Sequence, residues 1–274
     1  MAWTATDESI LQKTLLKAGK KISGNFIEKY FAYNFENVKG HIKILFRDHS
    51  LSDLIGFVYS KWGPDEAAED FITRLLKIRD SLRERFHDHA LDYAVVPILL
   101  DGENAWEFYQ SDGKDFLRTL YFKLTNEPRI QTVLPSEVKV KRGNTLKHVL
   151  PGSWINGDFG IWIGHPEDNK AWEFLAEARD AFEKLSEKKP VSVRTGAFRE
   201  IMIAEGSDWC WWYGDEHKSP QADQFDDLFR YHLKMVYKTL GENPPVEFDE
   251  PIKKRGGIQS APDTPSAMHH GTEH

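Results

Sequence analysis

The sequence predicts an α/β fold that contains part of a (β/α) barrel. Three apolar runs of strand length alternate with amphipathic helical stretches: His41–Phe46, Val95–Leu100 and Arg129–Leu134. This alternation is typical of βαβ units wound around a parallel sheet. A complete barrel needs about 250 residues, so only about half of one fits before residue 136. We therefore expect a partial barrel over residues 1–136.

The run Val95–Leu100 is continuously apolar, which is typical of a strand covered on both faces. Asp101 follows it directly, and Gly102 allows the chain to turn sharply. Because α/β barrels and open α/β sheets place their chemistry at the carboxyl ends of strands, Asp101 is a candidate catalytic residue. In the alternative interpretation, Asp101, Gly102 and Asn104 form a helix N-cap.

The run His41–Phe46 also ends in a polar cluster, and a helix is expected to follow over Leu51–Phe57. Asp48 and His49 lie where a ligand could bind, at the end of a strand. Alternatively, His49 and Asp53 only form hydrogen bonds with backbone groups of the loop and the helix cap. The sequence leaves both interpretations open.

Helices in the first half are predicted from caps and apolar spacing. Asp7 is a suitable N-cap for a helix that begins at Glu8. Proline in the first helical position, followed by two acidic residues, begins a helix over Pro64–Arg85. Another helix is expected over Gly113–Leu124, whereas the mixed polar residues 17–40 are interpreted as a connection.

The second half is expected to form a helical domain over residues 137–250. It opens with the basic stretch Lys139–His148, which is predicted to be a solvated connection. Three helices follow: Asn169–Glu187, residues 196–204 and Asp223–Leu240. The first residues of the first and third helices are the expected N-caps, and Gly241 is the expected stop. The tail, residues 251–274, is predicted to be disordered.

The aromatic cluster Trp209–Tyr213 lies beside the carboxylates of Glu205 and Asp208. A buried core does not ordinarily place two carboxylates against so much apolar surface without partners. Planar rings can stack on sugar faces while carboxylates accept hydrogen bonds from hydroxyl groups, so the cluster favours a sugar-binding site. The alternative is a hydrophobic plug between helix and barrel, with the two carboxylates as caps.

Composition excludes several classes of function. The net charge of −7 argues against a nucleic-acid partner. The single cysteine, Cys210, excludes an internal disulfide and a metal site built from several cysteines. The sequence has no signal peptide and no apolar stretch long enough to span a membrane. We therefore expect a cytoplasmic protein with no membrane partner, no metal and no cofactor.

Three motifs resemble glycoside hydrolase family 57: VPILLDGENAWE at Val96–Glu107, FRDHSLSDLIG at Phe46–Gly56 and AEGSDWCWWYG at Ala204–Gly214. The resemblance extends over about residues 2–252 and also includes Trp154. It implies a (β/α)7 barrel followed by a helical domain. It also implies activity on α-glucans, as in α-amylase, amylopullulanase, 4-α-glucanotransferase and branching enzymes.

The resemblance implies a retaining mechanism with a glutamate nucleophile and an aspartate acid/base. Asp101 matches the acid/base position. Other positions are implied to shape or bind the sugar substrate: Asp48, His49, Glu103, Trp106, Trp154, Glu205, Asp208, Trp209, Trp211 and Trp212. An α-glucan or an oligosaccharide is therefore the expected partner.

The family's nucleophile lies on the strand before a Trp-x-x-Thr-Asp-Glu segment, and Trp3–Glu8 matches that segment. The resemblance therefore implies that the nucleophile and the earlier histidine-containing motif are absent from this chain. Half a barrel also leaves unpaired strand edges. We expect the chain alone to be inactive and poorly soluble, and a missing amino-terminal half to be a possible partner.

Two other functions stay open. The chain could be a non-catalytic fragment that binds carbohydrate or a partner, such as one half of a split enzyme. It could also be a different hydrolase that holds a metal ion through Asp48, His49 and Asp101, since carboxylates and imidazole are suitable ligands. Both α-1,4 and α-1,6 linkages, and both water and sugar acceptors, stay open as well.

Overall fold

The chain divides into two compact units, Met1–Asp158 and Phe159–His274. The structure is a computed structural model that describes residues 2–37, 40–102, 106–215 and 220–254. Its described part has a mixed α/β architecture, with a four-stranded sheet and seven α-helices. The predicted disordered tail lies outside the described residues from residue 255 onward.

The first unit holds all four strands and four of the α-helices. In chain order these are β1 (Trp3–Asp7), α1 (Glu8–Lys17), β2 (Ala32–Asn37), β3 (Gly40–Arg47), α2 (His49–Asp53), α3 (Pro64–Phe86), α4 (Lys114–Asn126) and β4 (Val140–Leu146). The predicted long helix over Pro64–Arg85 is confirmed to within one residue. Its acidic first turn and its apolar stripe are local signals, which explains why the sequence predicts it well.

The sheet has the strand order β1-β3-β2-β4. Strand β1 runs parallel to β3, with Asp7 opposite Arg47, while β2 is antiparallel to β3 and parallel to β4. The carboxyl ends of β1 and β3 therefore lie side by side. The residues that follow these two strands begin α1 and α2, so two helix starts meet at the same edge of the sheet.

Both helix starts use an aspartate cap. The Asp7 carboxylate accepts a hydrogen bond from the backbone N–H of Ser9 at 2.9 Å, as the sequence predicts. The Asp48 carboxylate accepts one from the N–H of Leu51 at 2.8 Å. Because Asp48 is the cap, α2 begins two residues before the predicted start, and a π-helical turn over Leu54–Val58 continues it.

The predicted strand Val95–Leu100 is wrong: this segment forms no strand of the sheet. Pro97 has no N–H to donate, although its carbonyl accepts a hydrogen bond from the N–H of Asp48 at 2.9 Å. Side chains satisfy the next backbone groups. The Ser52 hydroxyl accepts from the N–H of Leu99 at 3.3 Å, and Arg47 Nε donates to the carbonyl of Leu99 at 2.9 Å.

The predicted strand Arg129–Leu134 is also wrong, since it has no ladder partner among the described residues. The N–H of Leu134 donates instead to the Glu137 carboxylate at 2.9 Å, which closes a local turn. Leu134 is 64% exposed. Its apolar character therefore reflects neither a strand nor burial within the first unit.

Two strands lie where connections were predicted. Strand β2 falls within residues 17–40, and β4 falls within the basic stretch Lys139–His148. Strand β4 pairs with β2 through an irregular register, and Gly143 has a φ of +90°. A short, basic, irregular strand lacks the strict alternation that a sequence pattern detects, which explains both misses.

The second unit is helical, with α5 (Pro166–Ser186), α6 (Val191–Ala204) and α7 (Ala222–Leu240). The prediction of Asn169 as the cap of α5 is wrong, because His165 Nδ1 accepts from the N–H of Glu167 at 3.2 Å. Gly241 ends α7 at a φ of +81°, as predicted. None of the described helices has the length and apolar character needed to cross a bilayer.

The core of the second unit supports a stability prediction. Leu233 on α7 is 0% exposed and packs in the helical core, whereas Leu228 on the same helix is 51% exposed. We expect Leu233→Ala to lower the free energy of unfolding by about 2–5 kcal/mol, because it leaves a cavity. Leu228→Ala is the matched control and should change it by less than about 0.5 kcal/mol. Urea denaturation measures both, and equal losses would contradict the assigned core.

Candidate active site

A buried arginine lies at the carboxyl end of β3. The Arg47 side chain is 7% exposed, and its Nη2 donates to Asp53 Oδ1 at 2.7 Å. Its Nε donates to the carbonyl of Leu99, two residues before Asp101. Its guanidinium also lies over the Trp154 ring, 5.2 Å from the centroid. Arg47 thus links the end of a strand, the segment that carries Asp101, and an aromatic ring.

Asp101 and Trp154 line one cavity of about 350 Å³, which we call the Asp101 cavity. Arg47, Ser52 and Thr6 contribute polar groups to its wall. Asp101 is half-buried, and its position after Leu100 brings it to the carboxyl end of β1 and β3. The Asp101 cavity thus brings together an aspartate and a tryptophan, two residue types that the sequence analysis associates with a sugar site.

His49 lies between two carboxylates. Its Nδ1 is 3.2 Å from Asp7 Oδ2, and its Nε2 is 2.9 Å from Asp53 Oδ2. The hydrogen bonds with Asp53 and Asp7 raise the pKa of His49 to about 10. Both ring nitrogens are therefore protonated at neutral pH, and the 3.0 Å approach of Arg47 Nη1 to Nδ1 is not a hydrogen bond. The positive charges of His49 and Arg47 thus balance the negative charges of Asp7 and Asp53.

The pKa values of the two carboxylates that contact His49 are lowered. Burial alone would raise the pKa of Asp7, but the hydrogen bond from His49 and those from Ser9 hold it below its ordinary value. Burial would likewise raise the pKa of Asp53, yet His49 and Arg47 lower it. His49 thus bonds to the carboxylates of two side chains. The alternative in which His49 bonds only to backbone groups of the loop and cap is wrong.

Asp48 is a buried structural residue in this geometry. Its side chain is 2% exposed and caps α2, and its Oδ2 accepts a hydrogen bond from the Tyr30 hydroxyl at 2.6 Å. Lys29 Nζ lies 3.1 Å from the same oxygen and also pairs with Glu8. Asp48 therefore stabilises the start of α2 and does not line the Asp101 cavity.

The other candidates in the first unit separate in the same way. Trp106 packs on the side of the unit's core, with its ring centroid 5.6 Å from that of Tyr109. A Cβ on Gly113 would lie 2.8 Å from the Trp106 ring, so this glycine makes room for the indole. Glu103 lies outside the described residues.

In the second unit, Trp209 is part of the core. It is 4% exposed, and its ring contacts Trp172 at 4.9 Å and Phe229 at 5.0 Å. Its Nε1 donates to the carbonyl of Ala204 at 3.0 Å. Cys210 beside it is buried, and burial raises the pKa of its thiol to about 12. Trp209 thus packs as a core aromatic and offers no open ring face within its unit.

The remaining candidates of the second unit are more accessible. Trp211 and Trp212 are half-buried, and Trp212 stacks on Phe225 at a centroid distance of 5.0 Å. Glu205 pairs with Arg179, and Asp208 is exposed. Neither carboxylate is buried against the tryptophans. Glu205 is stabilised by its ion pair and Asp208 by water, so neither carboxylate needs a partner within the aromatic cluster.

Residues 1–147 match the sequence profile of Glycosyl hydrolase family 57. The match covers more than half of the 274 residues and includes Arg47 and Asp101. This chain belongs to glycosyl hydrolase family 57. Asp101, Arg47 and the polar cluster of the FRDH motif all lie within the residues that match the family. No curated protein matches the family 57 chain.

A solved structure shows a similar fold. The crystal structure of 4-α-glucanotransferase from Thermococcus litoralis aligns with a TM-score of 0.54 at 15% sequence identity. The alignment covers 88% of this chain but 38% of the glucanotransferase chain. The family 57 chain therefore spans well under half the length of that enzyme, and the similarity concerns the fold.

Two residues that hold the segment before Asp101 were not among the predicted site residues. Arg47 lay in the polar cluster after the strand and Ser52 in the predicted helix Leu51–Phe57, but both bond to the backbone of Leu99. The available signal was the position of Arg47 as the last residue of a buried strand, where an arginine needs partners. Among the described residues, no three His, Cys, Asp or Glu side chains form a group that could hold a metal ion, so the metal-dependent alternative has no ligand set there.

The raised pKa of His49 gives a pH prediction. Because folding raises this pKa from 6.5 to about 10, the protonated ring stabilises the fold fully below about pH 6.5. That contribution fades as the pH rises toward 10. We expect His49→Gln to lower the free energy of unfolding at pH 6.5 by about 0.5–1 kcal/mol, the value for a half-exposed ion pair. The loss should be clearly smaller at pH 10.

Urea denaturation at both pH values measures this difference. His89→Gln, at an exposed histidine of the same unit, is the matched control and should have little effect at either pH. An equal loss at both pH values for His49→Gln would contradict the charged state assigned to the ring.

Proposed function

We propose that this chain carries the acid/base part of a retaining enzyme that acts on α-glucans, of the α-amylase, amylopullulanase or glucanotransferase type. The observation that supports the proposal is the shared cavity of Asp101 and Trp154 at the carboxyl ends of two parallel strands. This is the edge at which α/β barrels hold their catalytic groups. Membership of family 57 supplies the substrate class.

In this proposal Asp101 is the general acid of the first step. It donates its proton to the glycosidic oxygen as the bond to the anomeric carbon breaks, and a glutamate forms the glycosyl ester. Asp101 then accepts a proton from water or from an acceptor sugar, whose oxygen displaces the glutamate. The proton returns to Asp101, so the two steps balance.

We also propose that the nucleophile comes from outside these 274 residues. The resemblance described above implies that Trp3–Glu8 corresponds to the segment that follows the nucleophile-bearing strand in family 57. Retaining enzymes place the two carboxyl groups about 5–5.5 Å apart. A strand added beside β1, which lies at one end of the described sheet, would bring a glutamate to the edge where Asp101 lies.

The domain organisation follows as part of the proposal. Residues 1–136 supply part of a (β/α) barrel, and residues 137–250 supply a domain that is helical apart from β4. Trp154 is the favoured stacking surface for a sugar ring, since it is half-buried and lines the Asp101 cavity. His49 lies on the same side of Trp154 as Asp7 and keeps both ring nitrogens bonded to carboxylates.

The test uses Asp101→Asn in the 274-residue chain, mixed with a separately made amino-terminal half of a family 57 barrel. We expect turnover of maltooligosaccharides to fall by about 10²–10⁴-fold, the usual contribution of a general acid. Turnover of α-maltosyl fluoride should fall much less, because fluoride needs no proton to leave. Asp112→Asn, at an exposed aspartate, is the matched control and should keep full activity.

Other outcomes separate the alternatives. Full activity of Asp101→Asn would remove that residue from the acid/base role. Turnover by the purified 274-residue chain alone would show that the nucleophile lies within it. If mixing the chain with a separately made amino-terminal half restores turnover, the protein works as a split enzyme. Sugar binding with no turnover in either arrangement would favour the non-catalytic carbohydrate-binding function.

A further inference from the structure

We infer that Gly56 is a specificity-determining residue of the Asp101 cavity, and that the space beside its Cα receives part of a pyranose ring of the ligand. The inference rests on the proposed function and deepens it, because it names the residue that limits the width of the cavity. Gly56 lies in the middle of the π-helical turn Leu54–Val58 and lines the cavity. We call the space beside it the Gly56 gap.

The backbone conformation of Gly56 does not require a glycine. Its φ lies outside the left-handed region, whereas Gly113 has a φ of +71° and Gly157 a φ of +63°. In a helical turn, glycine is less favourable than alanine, because it loses more conformational freedom on folding. The local backbone would therefore be more stable with alanine at this position.

Packing does not require a glycine there either. Apart from its chain neighbours and its own helical backbone, no atom of the described residues would lie within 4 Å of a Cβ on Gly56. By contrast, a Cβ on Gly113 would lie 2.8 Å from the Trp106 ring. A Cβ on Gly152 would lie 2.6 Å from the carbonyl oxygen of Gly157. Those two glycines make room for protein atoms, whereas the Gly56 gap holds none from the described part of the chain.

The Gly56 gap belongs to the interior of the Asp101 cavity. Gly56 is buried, so it does not face bulk solvent, and it lines a cavity of about 350 Å³. A buried residue with no neighbouring atom on its Cβ side borders the inside of the cavity that it lines. A side chain at position 56 would therefore occupy space that a ligand could use.

Apolar side chains line the same cavity around the gap. Phe57 follows Gly56, Leu100 precedes Asp101, and Trp154 contributes its indole ring. Leu100 is 37% exposed although it is large and apolar. Apolar surfaces with few polar groups among them are typical of small-molecule sites. Here they suit the C–H groups on the face of a sugar ring.

Specific contacts hold Gly56 in the cavity wall. The N–H of Tyr59 donates to the carbonyl of Leu54, five residues earlier, and the Tyr109 hydroxyl donates to the carbonyl of Ile55. Single π-helical turns are rare and are frequent at functional sites. A glycine that weakens its own helical turn is a second local departure from stable structure. Proteins keep such departures where function needs them.

The experiment compares Gly56→Ala and Gly56→Leu with the wild-type 274-residue chain. Tryptophan fluorescence measures maltotriose binding, which should weaken about tenfold for Gly56→Ala and at least about 100-fold for Gly56→Leu, since one extra carbon in a filled pocket has effects of this size. The midpoint of urea denaturation should stay the same or rise for Gly56→Ala, because alanine suits a helical turn better. A structural role for Gly56 would instead lower binding and stability together.

Gly63→Ala is the matched control. Gly63 also has open space beside it, but it is exposed and does not line the cavity. This variant should bind maltotriose as the wild-type chain does.

A further variant, Gly56→Cys, tests the gap itself. Its new thiol should react with a small methanethiosulfonate reagent. Maltotriose at ten times its Kd should slow this reaction about tenfold, because the bound sugar covers the thiol. The wild-type chain gives the background rate, since its sole cysteine, Cys210, is buried.

The possible failures are distinct. If Gly56→Ala and Gly56→Leu bind maltotriose as well as the wild-type chain, the inference is overturned while the proposed function stands. Weaker binding with a parallel fall in the urea midpoint of Gly56→Ala would also overturn it, because the fold would then need the glycine. So would a thiol that bound maltotriose leaves unprotected. If the wild-type chain binds no maltotriose, the proposed function fails and the inference falls with it.

Discussion

The buried guanidinium of Arg47 is the interaction on which the candidate site depends. Arg47 is the last residue of β3, and it bonds to the carbonyl of Leu99 and to the carboxylate of Asp53 while lying over Trp154. The segment that leads to Asp101 has no strand ladder of its own. The Arg47 side chain therefore forms hydrogen bonds that a neighbouring strand would otherwise form. A lysine has a single ammonium group in place of the planar guanidinium and could not replace it.

The helices could be predicted from the sequence because their signals are local. Apolar spacing and end residues place α3 and the end of α7 to within a residue. The strands depend on partners far away in sequence, and this is where prediction failed. Val95–Leu100 is apolar but is held by Ser52 and Arg47, and β4 is basic and irregular yet pairs with β2. Neither partnership is visible in the segment itself.

The candidate site was predicted in part for a similar reason. Motifs identify Asp101 and Trp154 as residue types that suit sugar chemistry, and these two line one cavity. The aromatic cluster was harder, because tertiary packing alone decides which rings are covered. Trp209 is enclosed by Trp172 and Phe229, although Trp211 and Trp212, close to it in sequence, are less buried. Composition cannot separate a core indole from an exposed one.

The surroundings of Cys210 have a practical consequence for the whole chain. It is the sole cysteine of the 274 residues, and its thiol lies buried with a pKa of about 12. The nucleophilic thiolate is therefore scarce at physiological pH. Covalent dimers linked through sulfur should not form while the helical unit stays folded, so labelling by a maleimide reports directly on its opening.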